Sequence, residues 1–280
     1  MFQEFDDTIG VWTALARALL PAGLVTELRQ RPATDPVRLL VVPGEHLAYL
    51  PWAPLLLDDS GEADLLLHKA VIHVVPSLNL LHPATNAAPG GQILAYADAW
   101  AQEMVQRGGA FATPWRHLRE SLPLIVVGSR EEFERYLSDP RVNGIYLAAH
   151  GDGTGLAQSI NFSQGGKLSA ASALRFRWPR SLVFASCFVA KVEHQAGHEP
   201  LGLAIACMLG GCRSVIGGLV EVERQATGEI TTDVTIAVAA GADPPTALRD
   251  AQRAYLDREG ALMTNEWGGL VCISTEWRSA

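Results

Sequence analysis

Short apolar runs alternate with mixed, helix-patterned stretches along nearly the whole chain. "PVRLLVVPG" (36–44), "AVIHVVPS" (70–77) and "GQILAYAD" (91–98) each place an apolar core between turn residues, which predicts three strands, the first of them buried. "LPLIVVG", "NGIYLAAH", "SLVFASC", "RSVIGGLV" and the closing "GLVCIS" (269–274) repeat that pattern. The intervening stretches carry helix start and stop signals. "VWTALARALL" (11–20) is expected to end at Pro21 and Gly23. In 129–139, Ser129 caps the first turn and Glu132 completes a capping box. "PLGLAIACMLGGC" stops at Gly210-Gly211, 223–240 reads as a helix, and Pro244-Pro245 open another over 244–260. The stretch 100–121 gives no clear pattern. Strands alternating with helices at this spacing imply βαβ units, a mainly parallel sheet and helices on both faces. Reacting groups in such folds gather at the carboxyl ends of the strands.

Composition narrows the function. A formal charge of −8 without a dense Lys/Arg cluster argues against nucleic-acid binding. The N-terminus "MFQEFDDTIG" is acidic where a secretory signal is basic and then apolar. No apolar run approaches the roughly 20 residues of a membrane span, so a cytoplasmic protein without membrane contact is expected. Four cysteines with no CxxC pair predict neither a disulfide framework nor a zinc site. No GxGxxG or Walker segment follows any strand, which leaves no cofactor to expect and argues against a nucleotide-binding domain.

Two strands end on residues capable of chemistry: "YLAAHGDGTG" reaches His150 and "LVFASCFVAK" reaches Cys187. A thiol attacks as thiolate, and an imidazole can take its proton and later return it to a leaving amine. Gly151 lets a backbone amide approach a substrate oxyanion, and Cys187 offers its own N–H. "HGDGTG" reads as a flexible loop over the strand end. Against this stands a bland reading, in which a cysteine in an apolar run is a small buried hydrophobe and a histidine before glycine a loop residue. The other seven histidines lack a strand-end setting. His194 and His198 flank the loop "EHQAGHEP", where a solvated loop is the simpler reading than a metal site.

The chain resembles the CHAT family of caspase-like cysteine peptidases, related to separase and the caspases, from about residue 37 to 273. The resemblance is carried in order by "VVPGEHLAYLPWAPLLLD", "VIHVVPSLNLL", "YLAAHG", "SINFSQGGKLSAASAL", "LVFASC", "PLGLAIACMLGGCRSVIGGLVEVERQAT", "PPTALRDAQRAYL" and "EWGGLVCI". It implies a caspase-like α/β/α sandwich, with an N-terminal helical segment at 1–35, a non-catalytic half at 36–120 and a catalytic half at 121–280. It further implies His150 as general base, Cys187 as nucleophile, and the amides of Gly151 and Cys187 as the oxyanion hole.

The sequence departs from the family where Phe188-Val189-Ala190 replaces Thr-Gly after the cysteine, and where Arg224 and Val220 replace the usual aspartate and tryptophan. Relatives that cleave after basic residues often hold an acid two positions before the nucleophile, where this chain has Ala185. Asp152, Glu221 and Glu223 are the candidates to contact substrate in its place, with a solvated surface carboxylate as the alternative for each. The expected activity is cleavage of a protein substrate, controlled by a separate sensor or partner protein in a bacterial defence or signalling system, with no metal or cofactor. The rival expectation is a catalytically inactive scaffold that acts by protein binding.

Overall fold

The computed structural model describes residues 9–44, 47–58, 64–83, 91–98, 102, 106–109, 111–192, 201–260 and 264–277. The strands are β1 Val37–Val41, β2 Ala70–Val74, β3 His82–Pro83, β4 Gln92–Ala97, β5 Leu124–Val127, β6 Val142–Ala148 and β7 Gly151–Asp152. They continue with β8 Ser159–Phe162, β9 Gly166–Ser169, β10 Ser181–Ala185, β11 Ser214–Gly218, β12 Leu270–Ser274 and β13 Glu276–Trp277. Eight of them form one sheet in the order β1-β2-β12-β11-β10-β6-β4-β5. Neighbours run parallel except β11 with β12. β4, from the stretch before residue 120, lies between β5 and β6 from the stretch after it.

Period-two alternation divides the core between the two faces of the sheet. Ile93, Ala95, Tyr146, Ala148, Val183 and Ala185 pack on one face, with the helices Arg224–Ala239 and Pro244–Glu259. Leu94, Tyr96, Ile145, Leu147, Leu182 and Phe184 pack on the other, with the helices Arg130–Leu137 and Leu203–Leu209. The result is an α/β/α sandwich.

Several sequence expectations hold in detail. Ser129 accepts the Glu132 amide at 3.2 Å, while the Glu132 carboxylate reaches back to the Gly128 amide at 2.8 Å. The helix Leu203–Leu209 stops at Gly210, and Pro244–Glu259 ends at left-handed Gly260. The unplaced stretch contains the helix Ala112–Ser121.

Other expectations are corrected. The first helix, Ile9–Leu19, does end just ahead of Pro21, but Gly23 is no stop: it lies inside a second helix, Ala22–Gln30, bent 119° from the first. Proline without an N–H is tolerated just ahead of a first turn, which explains the restart. β1 is an edge strand, so most of its residues are only half-buried. "HGDGTG" is not a free loop, because its Gly151–Asp152 forms β7 in a three-stranded antiparallel side sheet with β8 and β9. His194 and His198 lie outside the described residues. Among the described residues no single helix is long and apolar enough to cross a membrane, and no cluster of His, Cys, Asp and Glu is arranged to hold a metal ion.

Candidate active site

The site lies where two neighbouring parallel strands end at the same height. β6 and β10 pair in register from Gly144↔Ser181 to Ala148↔Ala185. His150 stands two residues beyond Ala148, and Cys187 two beyond Ala185. Alternation continues the face of Tyr146 and Ala148 to His150, and that of Val183 and Ala185 to Cys187. Equal register and equal parity bring the two to one face, above the helix Arg224–Ala239. A cavity of about 100 Å³ opens there, lined by both residues together with Phe111, Glu221, Val222 and Thr227.

Polar contacts hold the two strand ends together. Ser186, buried between them, donates its hydroxyl to the Ala149 carbonyl at 2.5 Å. Asn161 donates its amide to the His150 carbonyl at 3.0 Å, anchoring that side to β8. This bond makes Gly151 and Ile160 a non-hydrogen-bonded antiparallel pair, so the Gly151 N–H points away from β8. Gly151 also passes close under the Cys187 backbone. A Cβ there would sit 2.2 Å from the Cys187 carbonyl oxygen, so only glycine fits.

The surroundings of the Cys187 thiol disfavour its thiolate form. Burial foremost, and then the Glu221 carboxylate, push Cys187 above its ordinary pKa, partly offset by the Val222 backbone and the Arg224 charge. A cysteine in this setting becomes a nucleophile when a base takes its proton as attack proceeds.

The three expected substrate carboxylates separate. Glu221 is exposed and borders the cavity. Glu223 caps the helix Arg224–Ala239, accepting the Ala226 amide at 2.8 Å. Asp152 lies out on β7 and pairs with Lys167 at 3.2 Å, which with the Gly153 amide holds its carboxyl below the usual range. Phe111 and Thr227 escaped sequence reasoning, since Phe111 lies in the unpatterned stretch and Thr227 reads as an ordinary helix residue. Cys207, Cys212 and Cys272 are buried free thiols, all raised above their ordinary values, foremost by burial.

The CHAT-domain family profile matches residues 11–275. The chain belongs to the CHAT-domain family. Two crystal structures of the Saccharomyces cerevisiae separase–securin complex share its fold at 14% identity, with TM-scores of 0.55 and 0.56. The match covers 84% of this chain but only 15% of separase. A sequence comparison with curated proteins returned no match.

Where this CHAT domain departs from the family pattern, the backbone shows a consequence. Phe188, in place of the family's threonine, has φ 59°, the one non-glycine with positive φ among the described residues. Holding a bulky side chain in this left-handed region costs on the order of 1–3 kcal/mol, and the strain falls directly after Cys187. Phe188 donates its amide to the Val220 carbonyl at 3.4 Å, so the position of the second departure, Val220, braces the first.

Proposed function

We propose that this CHAT domain is a cysteine endopeptidase acting through His150 and Cys187. The observation that supports it most is the Ala148↔Ala185 register, which sets both residues equally far past the ends of adjacent parallel strands. In the proposed reaction the Cys187 thiol transfers its proton to the His150 imidazole as Sγ attacks the scissile carbonyl carbon. The amides of Gly151 and Cys187 stabilise the resulting oxyanion. The imidazolium then protonates the departing amine, leaving a thioester on Cys187. His150 next deprotonates a water that attacks the thioester, releasing the acid and restoring the thiol. Glu221, the carboxylate that borders the cavity, is assigned to substrate contact. A separate sensor protein is proposed to control the enzyme, and full activity of the purified chain alone would count against that control.

The test is the appearance of new protein N-termini, read by mass spectrometry, when the protein is incubated with lysate of its native cell. Wild type is expected to generate cleavages that Cys187→Ala does not. The half-buried thiol with its raised pKa and the strained Phe188 favour a second reading, an inactive scaffold that binds proteins. A Cys187→Ala variant retaining full biological activity would decide for the scaffold.

A further inference from the structure

Gln158 is buried, with 1% of its surface exposed, yet its side-chain amide links two segments near the site. Its Nε2 donates to the Phe188 carbonyl, the turn residue that follows the nucleophile. Its Oε1 accepts the Leu203 amide at 2.5 Å. Leu203 begins the helix Leu203–Leu209, whose N-cap is Gly202 and lacks a side-chain cap, so Gln158 supplies the missing acceptor from 45 residues away. The two partners fix the orientation of the amide, because Leu203 N–H only donates and the Phe188 carbonyl only accepts. Its backbone is engaged as well: the Gln158 N–H donates to the Thr154 carbonyl at 3.0 Å and its carbonyl accepts from Ala170 at 2.7 Å.

From these contacts we infer that Gln158 is a positioning residue that holds the turn after Cys187 in its left-handed conformation and so aims the nucleophile. The inference rests on the Cys187–His150 reading of the site. Phe188 is fixed from both sides, its N–H by Val220 and its carbonyl by Gln158 and by the Lys191 amide at 3.0 Å. A left-handed phenylalanine relaxes toward ordinary backbone angles unless its surroundings oppose it. Among the described residues, the Gln158 amide is the one restraint supplied by a side chain, and it comes from the segment that leads on from His150. One side chain thus couples the base-bearing segment, the nucleophile turn and the following helix.

Gln158→Glu, once ionised, separates the two contacts, since the carboxylate accepts from Leu203 but does not donate to the Phe188 carbonyl. Gln158→Met, which cannot donate in any protonation state, is measured beside it. The readout is the rate of iodoacetamide alkylation at Cys187 at pH 7, followed by peptide mass spectrometry. Gln158→Glu is expected to slow it about tenfold, as a misaimed nucleophile loses its approach to the base. Adding Phe188→Gly to that variant is expected to restore most of the rate, because glycine adopts the turn without restraint. Should Gln158→Glu fail to fold by circular dichroism, Gln158→Met, similar in volume and uncharged, carries the same expectation. A slow rate that Phe188→Gly leaves unchanged makes Gln158 merely structural and overturns the inference. His150→Ala serves as the control: if it leaves the wild-type rate unaltered, the dyad reading itself fails. An intact His150 dependence with an unaltered Gln158→Glu rate overturns the clamp alone.

Discussion

Each wing of the sheet carries a histidine and a cysteine on or just past neighbouring parallel strands, and only one of these pairs borders a cavity at the strand ends. His73 lies within β2 and Cys272 within β12, which pair through Val74↔Ile273. His73 is fully buried, takes a hydrogen bond from Arg38 at 3.0 Å on Nε2, and meets the Trp277 ring edge-on at 5.1 Å. Arg38 is matched in turn by Asp243 at 2.9 Å. Burial lowers His73 to about 4, so it stays neutral. His150 and Cys187 differ chiefly in standing two residues past their strand ends, where the backbone turns away and a cavity opens. The same residue types in the same apolar setting become core or candidate catalysts according to which side of the strand end they fall.

The largest expected effect tests that contrast directly. Cys187→Ala and His150→Ala should each lower proteolysis by about 10³-fold or more, while the melting temperature shifts little. Cys187 alkylation in His150→Ala should fall well below wild type at pH 7. The two profiles should converge at strongly alkaline pH, where the thiolate forms without help. Parallel profiles offset at every pH would mean that His150 shapes access and takes no proton.

The other wing should respond to acid. A histidine lowered by burial stabilises the fold fully above its unfolded value of about 6.5, and the contribution is lost as pH falls through its folded value. For His73 that window runs from 6.5 down to about 4, with Arg38 and Asp243 facing the ring. The loss of unfolding free energy across it is at most about 3 kcal/mol. His73→Gln, which still accepts from Arg38, should flatten stability over this window in a urea titration series. A slope unchanged by the substitution would assign the acid sensitivity to other groups.

Much of this arrangement is legible in the sequence, for identifiable reasons. Strand cores are local patterns, so alternation alone places β6 and β10 and the residues that follow them. The logic of helix starts such as "SREEF" (129–133) is equally local, which is why the Ser129 cap is visible in advance. What escaped depends on contacts across the chain. β7–β9 hide because Gly151–Asp152 is too short to show periodicity, and Gln158 hides because its partners lie 30 and 45 residues away. Spacing alone groups Glu223 with the candidate pocket, because it does not reveal that the carboxylate caps its own helix.

Gly151 offers a smaller effect confined to the wing that carries His150 and Cys187. Gly151→Ala drives a methyl to within 2.2 Å of the Cys187 carbonyl oxygen and 2.9 Å of the Val189 Cγ1, and the Cys187 backbone has little room to yield. A cost of about 1–3 kcal/mol is expected, together with slower Cys187 alkylation as the loop is pushed outward. Lost stability with unchanged alkylation would show that the loop relaxes without disturbing the thiol.

The smallest effect belongs to Cys272. Removing one buried sulfur from β12 to give Cys272→Ala should cost about 1–2 kcal/mol through lost packing, and proteolysis should not change. Its thiol, pushed far up by burial, should resist iodoacetamide until the protein unfolds. Alkylation of Cys272 in denaturant-free buffer at a rate near that of Cys187 would break the comparison between the wings. It would mean that β12 opens readily and that strand position does not by itself decide which cysteine reacts.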